Sequence, residues 1–221
     1  MNEDNISSEI SIPHHTNKSI SIIHQYRVLI GGLVMAISST VWAQNRVVEI
    51  PKVSDFSLWE SCTYVRNDNR GGNIEIARPI RTVVQWKDWL EFSDGKKNRS
   101  IEWDYIGRPE SNGTWRKWPL KVWATWEYRE DWKRADGTTV NTTQNVTVVW
   151  EEEVVTPAGK FQTFKIIYDG WYKTTNWGNG RQLDIYWYSP EAKADVKRMH
   201  DDRSNMYTQQ MVECSKWESR Q

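Results

Sequence analysis

The amino-acid sequence predicts an all-β protein: an antiparallel meander that forms a curved sheet, a half-barrel or a closed barrel, after an N-terminal signal peptide. Beyond Ala43 helical periodicity is nearly absent, and short β-prone runs are separated by turn residues. Asp94-Gly95, Asp136-Gly137 and Asn179-Gly180 stand between such runs. These pairs favour tight hairpins because their residues tolerate the positive φ angles of primed turns.

The alternation of side chains within these runs also indicates strands. Leu183, Ile185 and Trp187 fall on one face, because a period of two places alternate side chains on the same side of a sheet. Many strands in series must close or fold over, since a flat open sheet would leave one face uncovered. The predicted strands are Trp59–Val65, Thr82–Trp86, Trp89–Ser93, Arg99–Tyr105, Lys121–Trp132, Thr138–Trp150, Phe161–Tyr172, Arg181–Tyr188, Asp195–His200 and Asn205–Lys216, with Ile106–Pro119 as a long loop.

The start of the chain has the three parts of a secretory signal. Arg27 supplies a basic flank, Val28–Val41 an apolar core and Val41-Trp42-Ala43 a small-residue cleavage site. The apolar run is shorter than the roughly 20 residues of a transmembrane helix. We therefore expect residues 1–43 to be a signal peptide and residues 44–221 a single Trp-rich β domain that is periplasmic or secreted. An uncleaved N-terminal anchor is the alternative.

Charge and hydropathy argue against two classes of function. The chain has 29 basic and 29 acidic residues and a formal net charge of 0, so the basic surface typical of nucleic-acid binders is not expected. No later stretch is long and apolar enough to span a bilayer. We expect no nucleic-acid partner and no stable membrane span after cleavage.

The two cysteines, Cys62 and Cys214, lie near opposite ends of the predicted domain. In an oxidising compartment, two cysteines suggest one disulfide. We predict a bond that ties the first strand to the last, with both at the edges of one sheet. Two unpaired buried thiols are the alternative.

A constant offset of 64 residues relates two parts of the chain. The pairs at this offset include Trp59 with Trp123, Tyr64 with Tyr128, and Trp86 with Trp150. An internal duplication would give such pairs without gaps. Tryptophan is abundant enough to give them by chance, so both explanations stay open.

Three motifs in the second half of the chain resemble those of a group of exported bacterial proteins. They occur in the same order as in that group, whereas the first half matches only loosely, at Leu58–Tyr64. The group consists of uncharacterised periplasmic or lipoprotein-like domains. The motifs, within Trp115 to Arg198, are Trp118–Trp126, Glu153–Phe161, and Tyr186–Glu191 followed by Val196-Lys197-Arg198.

The resemblance implies an exported location and a fold similar to the curved antiparallel half-barrel of bacterial lipoprotein carriers. It implies no reaction, cofactor or catalytic residue. The chain differs from the group at Trp123, where glycine is usual, and in having no lipobox cysteine. The first difference puts the local turn geometry in question, and the second favours a soluble form.

The chain has no catalytic signature, and we expect neither a metal site nor a cofactor. A Ser-His-Asp triad would need His200, the only histidine after the leader. Because His200 stands beside Asp201 and Asp202, we expect it to be a solvated residue in a turn. Paired carboxylates, such as two of Glu151-Glu152-Glu153, are the remaining route to a hydrolase. Asn67–Gly72 lacks the closing glutamate of a calcium loop and is expected to be a polar hairpin loop.

Tryptophan is the most informative residue type, because all but Trp42 of the 15 tryptophans lie after the leader. Trp123 and Trp126 fall on opposite faces of one predicted strand, and only one face can be core. Trp115, Trp118 and Trp123 lie in or beside the long loop, where the backbone is free to shape a site. We predict a ligand-binding site built from these three. The alternative is that the rings simply fill a β domain poor in Leu and Phe.

The protein is therefore expected not to be an enzyme and to bind an apolar or glycan ligand on its Trp-rich sheet. One alternative is an interaction protein that assembles an envelope or surface structure with a protein partner; a second is a carboxylate-based hydrolase. A cavity lined by Trp favours ligand binding, and a filled interior with an exposed aromatic patch favours assembly. Two facing carboxylates, one with a raised pKa, favour the hydrolase.

Cleavage after Ala43 should give an exported chain that begins at Gln44. The basic flank, the apolar core and the small-residue site together set this position. N-terminal sequencing of the exported protein checks it. A full-length chain retained in the membrane fraction would contradict it.

Overall fold

The computed structural model describes residues 46–106, 115–176 and 178–215, which belong to one compact unit, Ala43–Gln221. The predicted signal peptide, residues 1–43, lies outside the described residues, as do residues 107–114 of the predicted long loop. Within the described ranges, no helix has the length and apolar character needed to cross a membrane.

One antiparallel sheet of 11 strands makes up most of the described chain, which confirms the predicted fold class. A 3-10 turn at Val53–Asp55 precedes it, and one helix, α1 (Ile101–Ile106), follows the fifth strand. The strands are β1 (Ser61–Asp68), β2 (Ile74–Ala77), β3 (Ile80–Trp86), β4 (Trp89–Ser93), β5 (Asn98–Ser100), β6 (Thr125–Lys133), β7 (Thr139–Thr156), β8 (Gly159–Thr174), β9 (Gly178–Ser189), β10 (Ala194–Asp201) and β11 (Met206–Cys214). Their order is β5-β4-β3-β1-β11-β10-β9-β8-β7-β6, and β2 also pairs with β1.

Two successive meanders form this sheet, joined where β1 pairs with β11. Cys62 and Cys214 are partners in that pairing and form a disulfide, with their Cα atoms 4.0 Å apart. The disulfide ties the first strand to the last, as predicted. The prediction that these are edge strands is wrong, because β3 and β10 flank them.

The sheet is curved, because strands from both of its ends pack into one core. Val83 of β3 and Phe92 of β4 share a buried cluster with Tyr168 of β8 and Tyr188 of β9. Helix α1 and the segment 115–124 pack into the same cluster and cover the concave face. One sheet can therefore bury a face without a second sheet against it.

A second buried cluster forms where the long β7–β8 hairpin reaches β1, β10 and β11. The two strands of this hairpin have 18 and 16 residues, and an irregularity in their register, where β7 has an extra residue, bends them. At the tip, the Ala158 amide donates to the Met211 carbonyl at 3.3 Å. The cluster contains Val154, Phe161, Trp187, Val196 and the disulfide.

The segment predicted as a strand over Arg99–Tyr105 is instead the short strand β5 followed by helix α1. Ile101 and Tyr105 are both buried, at 1% and 2% exposure. Residues four apart share one face of a helix. The helix thus places both side chains against the concave face of the sheet. A strand of the same length would cover less of this face.

The strand predicted from Lys121 begins only at Thr125, because the chain turns at Trp123. Trp123 has a φ of 68°, in the left-handed region that favours glycine. Trp59, 64 residues earlier, has a φ of 67°. Each of the two donates its amide to a valine carbonyl, at 2.8 Å for Trp59 and 2.7 Å for Trp123. The offset of 64 residues therefore corresponds to a repeated turn.

Replacing both cysteines by serine should lower the free energy of unfolding by about 5 kcal/mol, because the crosslink restricts the unfolded chain over a very long loop. The bonded residues are 152 positions apart. Chemical denaturation of wild type and C62S/C214S under oxidising conditions measures the difference. Equal midpoints for the two proteins would contradict it.

Candidate functional site

The concave face has an apolar part and a polar part, and the chain's own rings fill the apolar part. Trp115 stacks on Tyr168 with 4.6 Å between ring centroids. Trp118 meets Tyr188 edge to face at 5.4 Å. Tyr168 and Tyr188 are almost completely buried, so this part of the face is packed core.

The three tryptophans of the predicted site lie in different surroundings. Trp115 and Trp118 are half-buried against the core cluster, and Nε1 of Trp118 donates to the Tyr105 carbonyl at 3.1 Å. Trp123 lies on the turn before β6 and is 71% exposed. The structure thus brings Trp115 and Trp118 to one core and leaves Trp123 on the surface.

Arg116 fastens the segment between these tryptophans to the sheet. Its buried guanidinium donates from one terminal nitrogen to both carboxylate oxygens of Asp195, at 3.0 and 3.1 Å. The guanidinium carbon also lies 5.1 Å from the centroid of the Tyr188 ring. A buried charge is tolerated when a carboxylate and aromatic faces compensate its desolvation. Removing either partner would therefore loosen Trp115.

The polar part is built around Asp184, whose side chain is 3% exposed. Oδ1 accepts hydrogen bonds from a terminal nitrogen of Arg198 and from Nδ1 of His200, both at 2.8 Å. Oδ2 accepts from the amides of Gln144 at 3.2 Å and Gln182 at 2.8 Å. Strands β7, β9 and β10 supply these side chains, and alternation turns all of them toward the concave face.

The Asp184 carboxylate stays ionised inside this network. Burial by itself would raise its pKa, but the hydrogen bond from His200 and the charge of Arg198 outweigh burial and lower the pKa well below its ordinary value of 3.8. The result is a fixed negative charge under the polar part of the face.

His200 lies buried in β10, so the expectation of a solvated turn residue is wrong. Pairing with β9 places Nδ1 against Asp184, and Nε2 lies 3.4 Å from Oδ2 of Asp202. Each ring nitrogen of His200 therefore has a carboxylate as its neighbour. A triad histidine must instead accept the proton of the nucleophile on one nitrogen. This geometry argues against a triad.

Half-exposed side chains border the polar part. Arg66 donates from Nε and from a terminal nitrogen to the Gln209 side-chain oxygen, at 3.1 and 2.8 Å. Its guanidinium carbon lies 4.5 Å from the Tyr207 ring centroid, and that of Arg198 lies 5.5 Å away. The ring also stacks on His200 at 4.9 Å. Two guanidinium groups and an aromatic ring therefore stand over the Asp184 network.

Sequence reasoning missed this network because its members are scattered along the chain, from Arg66 to Gln209. The available signal was Asp184 itself. Asp184 stands between Leu183 and Ile185, so its side chain lies on the same strand face as that of Tyr186. A charged residue on a strand face lined by aromatic side chains needs polar partners.

The acids considered for a hydrolase are engaged with cations. Glu151, Glu152 and Glu153 pair with Arg46, Lys165 and Lys160, respectively. A two-carboxylate mechanism needs one acid that remains protonated beside one that is ionised. Burial raises the pKa of Glu151, and the charge of Arg46 opposes that rise. Beside His200, burial would raise the pKa of Asp202, but hydrogen bonds from Asn205 lower it, so this carboxyl is ionised like its neighbour Asp184.

One group among the described residues has ligand atoms close enough to surround a metal ion: Glu60, Cys62 and Cys214. Both sulfur atoms of this group are in the disulfide. Cysteine binds metals as the thiolate, so the oxidised group is not a metal site.

No protein-family model matches the chain, and no curated protein sequence matches it. Two solved structures are similar to it. One, from Bacteroides fragilis, is described as an exported protein with a YmcC-like fold; it has 14% identity and a TM-score of 0.41, covering 77% of this chain and 100% of that one. The other, from Parabacteroides distasonis, is described as a lipoprotein; it has 9% identity and a TM-score of 0.40, covering 72% of this chain and 96% of that one.

Stability should fall steeply below about pH 4. The pKa of Asp184 is lower in the folded chain than its ordinary value of 3.8, so its ionisation stabilises the fold above that value and is lost as the pH falls toward the folded pKa. Denaturant midpoints between pH 6 and pH 2 measure the effect. Asp184→Asn should flatten the curve relative to Asp169→Asn, an exposed control on the opposite face; parallel curves for the two variants would contradict the assignment.

Trp118→Ala should lower the free energy of unfolding by about 3–5 kcal/mol, because it removes a packed ring from the concave core. Trp123→Ala should change it by less than about 0.5 kcal/mol, since the ring contributes little to packing. Thermal unfolding of the two variants side by side tests this. Equal losses would mean that Trp123 is core.

Proposed function

We propose that this exported protein binds a glycan, without covalent chemistry, at the polar part of its concave face. The observation that carries the proposal is the Asp184 network beneath half-exposed Arg66, Arg198 and Tyr207. Charged and amide groups that are already oriented by one another, next to an aromatic ring, form a polar site of fixed shape.

Sugars match this combination of groups. A hydroxyl both donates and accepts, so it can bridge a guanidinium donor and an amide or carboxylate acceptor. Gln182 and Gln209 offer amides, and Arg66 and Arg198 offer planar donors. The face of Tyr207 provides an apolar surface with a polar edge, which suits the C–H face of a sugar ring.

An apolar ligand fits this face less well. The apolar part is already filled by Trp115 and Trp118, and covering Arg66 and Arg198 with hydrocarbon would remove their water without replacing its hydrogen bonds. A polyhydroxylated ligand replaces those bonds. The proposed binding involves no covalent chemistry, because Asp184 and His200, which lie buried beneath the site, already bind each other.

Arg66→Ala and Tyr207→Ala should each weaken glycan binding by about 2 kcal/mol, roughly 30-fold, if these side chains are anchors of the site. The probes are soluble oligosaccharides from bacterial capsules, cell walls and glucans, measured by calorimetry against the exported protein. Arg181→Ala and Trp171→Ala are matched controls, because both side chains are exposed on the opposite face of the neighbouring strands. Wild type that binds none of the probes, or equal losses in the controls, would count against the proposal.

A further inference from the structure

The concave face continues beyond Asp184 to the end of the sheet where β9 begins and β6 ends. Paired residues of neighbouring strands lie on one face, and alternate residues of a strand share that face. Tyr172 pairs with Gly180, which lies on the Asp184 face of β9. Pairing through β7 places two side chains of β6 on the same face. We name the side chains at this end the outer patch; they are Glu130, Trp132, Tyr172 and Gln182.

The half-exposed ring of Tyr172 lies over Gly180. A Cβ atom at position 180 would be 2.7 Å from both Cε1 and the hydroxyl oxygen of Tyr172. The φ angle of Gly180 is outside the left-handed region, so the backbone conformation does not require glycine there. Glycine inside a strand often marks the close approach of another group, and here that group is the ring. The ring therefore covers β9 with one face and leaves its other face toward the concave side.

Trp132 supplies a second ring to the outer patch and is 44% exposed. It is two strands away from Tyr172, and it is two residues further along β6 than Glu130, the residue level with Tyr172. These offsets of about 10 Å across the strands and about 7 Å along them put the two side chains about 12 Å apart on the face. Each ring can thus pack against a different sugar of one chain.

Polar groups of fixed orientation stand beside these rings. Oε2 of Glu130 accepts a hydrogen bond from the Tyr128 hydroxyl at 2.6 Å. Nε2 of Gln182 donates to Oδ2 of Asp184 at 2.8 Å, so this amide continues the Asp184 network. A carboxylate has several acceptor sites, and an amide oxygen has two. Glu130 and Gln182 are both half-buried and can accept hydrogen bonds from sugar hydroxyls beside the rings.

Gln182 links the outer patch to the site around Asp184. Strand pairings lead from Tyr207 of β11 in three steps to Tyr168 of β8, and Tyr172 is four residues further along that strand. Three strand spacings are about 14 Å and four residues about 13 Å, so Tyr207 and Tyr172 lie about 20 Å apart along the face. Gln182 is on β9, between them. A single sugar cannot contact both rings, whereas a chain of sugars can.

We propose that the outer patch is a second part of the glycan site and that the ligand is a chain of sugars lying along the concave face. The inference rests on the proposed glycan binding and specifies its ligand, because a single sugar at Tyr207 leaves the outer patch empty. Aromatic rings suit the C–H faces of successive sugars. The site around Asp184 supplies guanidinium donors and the outer patch supplies acceptors, so the chain meets both kinds of partner that its hydroxyls need.

The test compares a disaccharide with a hexasaccharide from each class of probe, namely bacterial capsules, cell walls and glucans, by calorimetry on the exported protein. Wild type should bind the hexasaccharide about tenfold more tightly or more, because only the longer chain reaches the rings of the outer patch. Trp132→Ala and Tyr172→Ala should each remove most of this gain. Both variants should bind the disaccharide as wild type does, since Arg66 and Tyr207 are unchanged.

Trp171→Ala is the matched control and should keep the gain, because Trp171 precedes Tyr172 in β8 and is exposed on the opposite face. Trp132→Ala should melt at the wild-type temperature, since its ring is exposed, and it carries the test if Tyr172→Ala is less stable. Equal wild-type affinities for the two lengths, or a gain that Trp132→Ala and Tyr172→Ala both retain, overturn the outer patch but leave the site around Asp184. Wild type that binds neither length overturns the proposed glycan binding itself.

Discussion

The antiparallel pairing of β1 with β11 holds the two halves of the sheet together. It joins two meanders that would otherwise each end in an exposed strand edge. The paired residues are about as far apart in sequence as the domain allows, so ordering the chain between them costs conformational entropy. The Cys62–Cys214 disulfide lowers that cost, and the β7–β8 hairpin closes over the same place.

Curvature gives the single sheet a concave face, and the chain covers it in two different ways. Trp115 and Trp118 pack into one part, with Arg116 bound to Asp195 between them. In the other part the sheet supplies its own polar network around Asp184. A fully bonded network in a low-dielectric setting is rigid, which is the property that a binding site for a polar ligand requires.

The exposed and buried tryptophans of this molecule differ in their surroundings and in their backbone geometry. Trp115 and Trp118 take the place of the aliphatic residues that fill most β domains. Trp59 and Trp123 are mostly exposed and occupy a backbone conformation that disfavours a side chain. The tryptophans therefore form two groups, core residues and exposed residues, which differ in exposure and in backbone geometry.

The all-β class, most of the hairpins and the cysteine pair were predictable from the sequence. Alternation and turn chemistry are local, and two cysteines allow one intramolecular pairing. The sequence also pointed to a repeat through the offset between Trp59 and Trp123. The sequence did not predict that β1 and β11 are central, that Ile101–Ile106 is a helix, or that His200 is buried beside Asp184. These features depend on contacts between residues far apart in the chain, and no local pattern specifies which distant strand will be the neighbour.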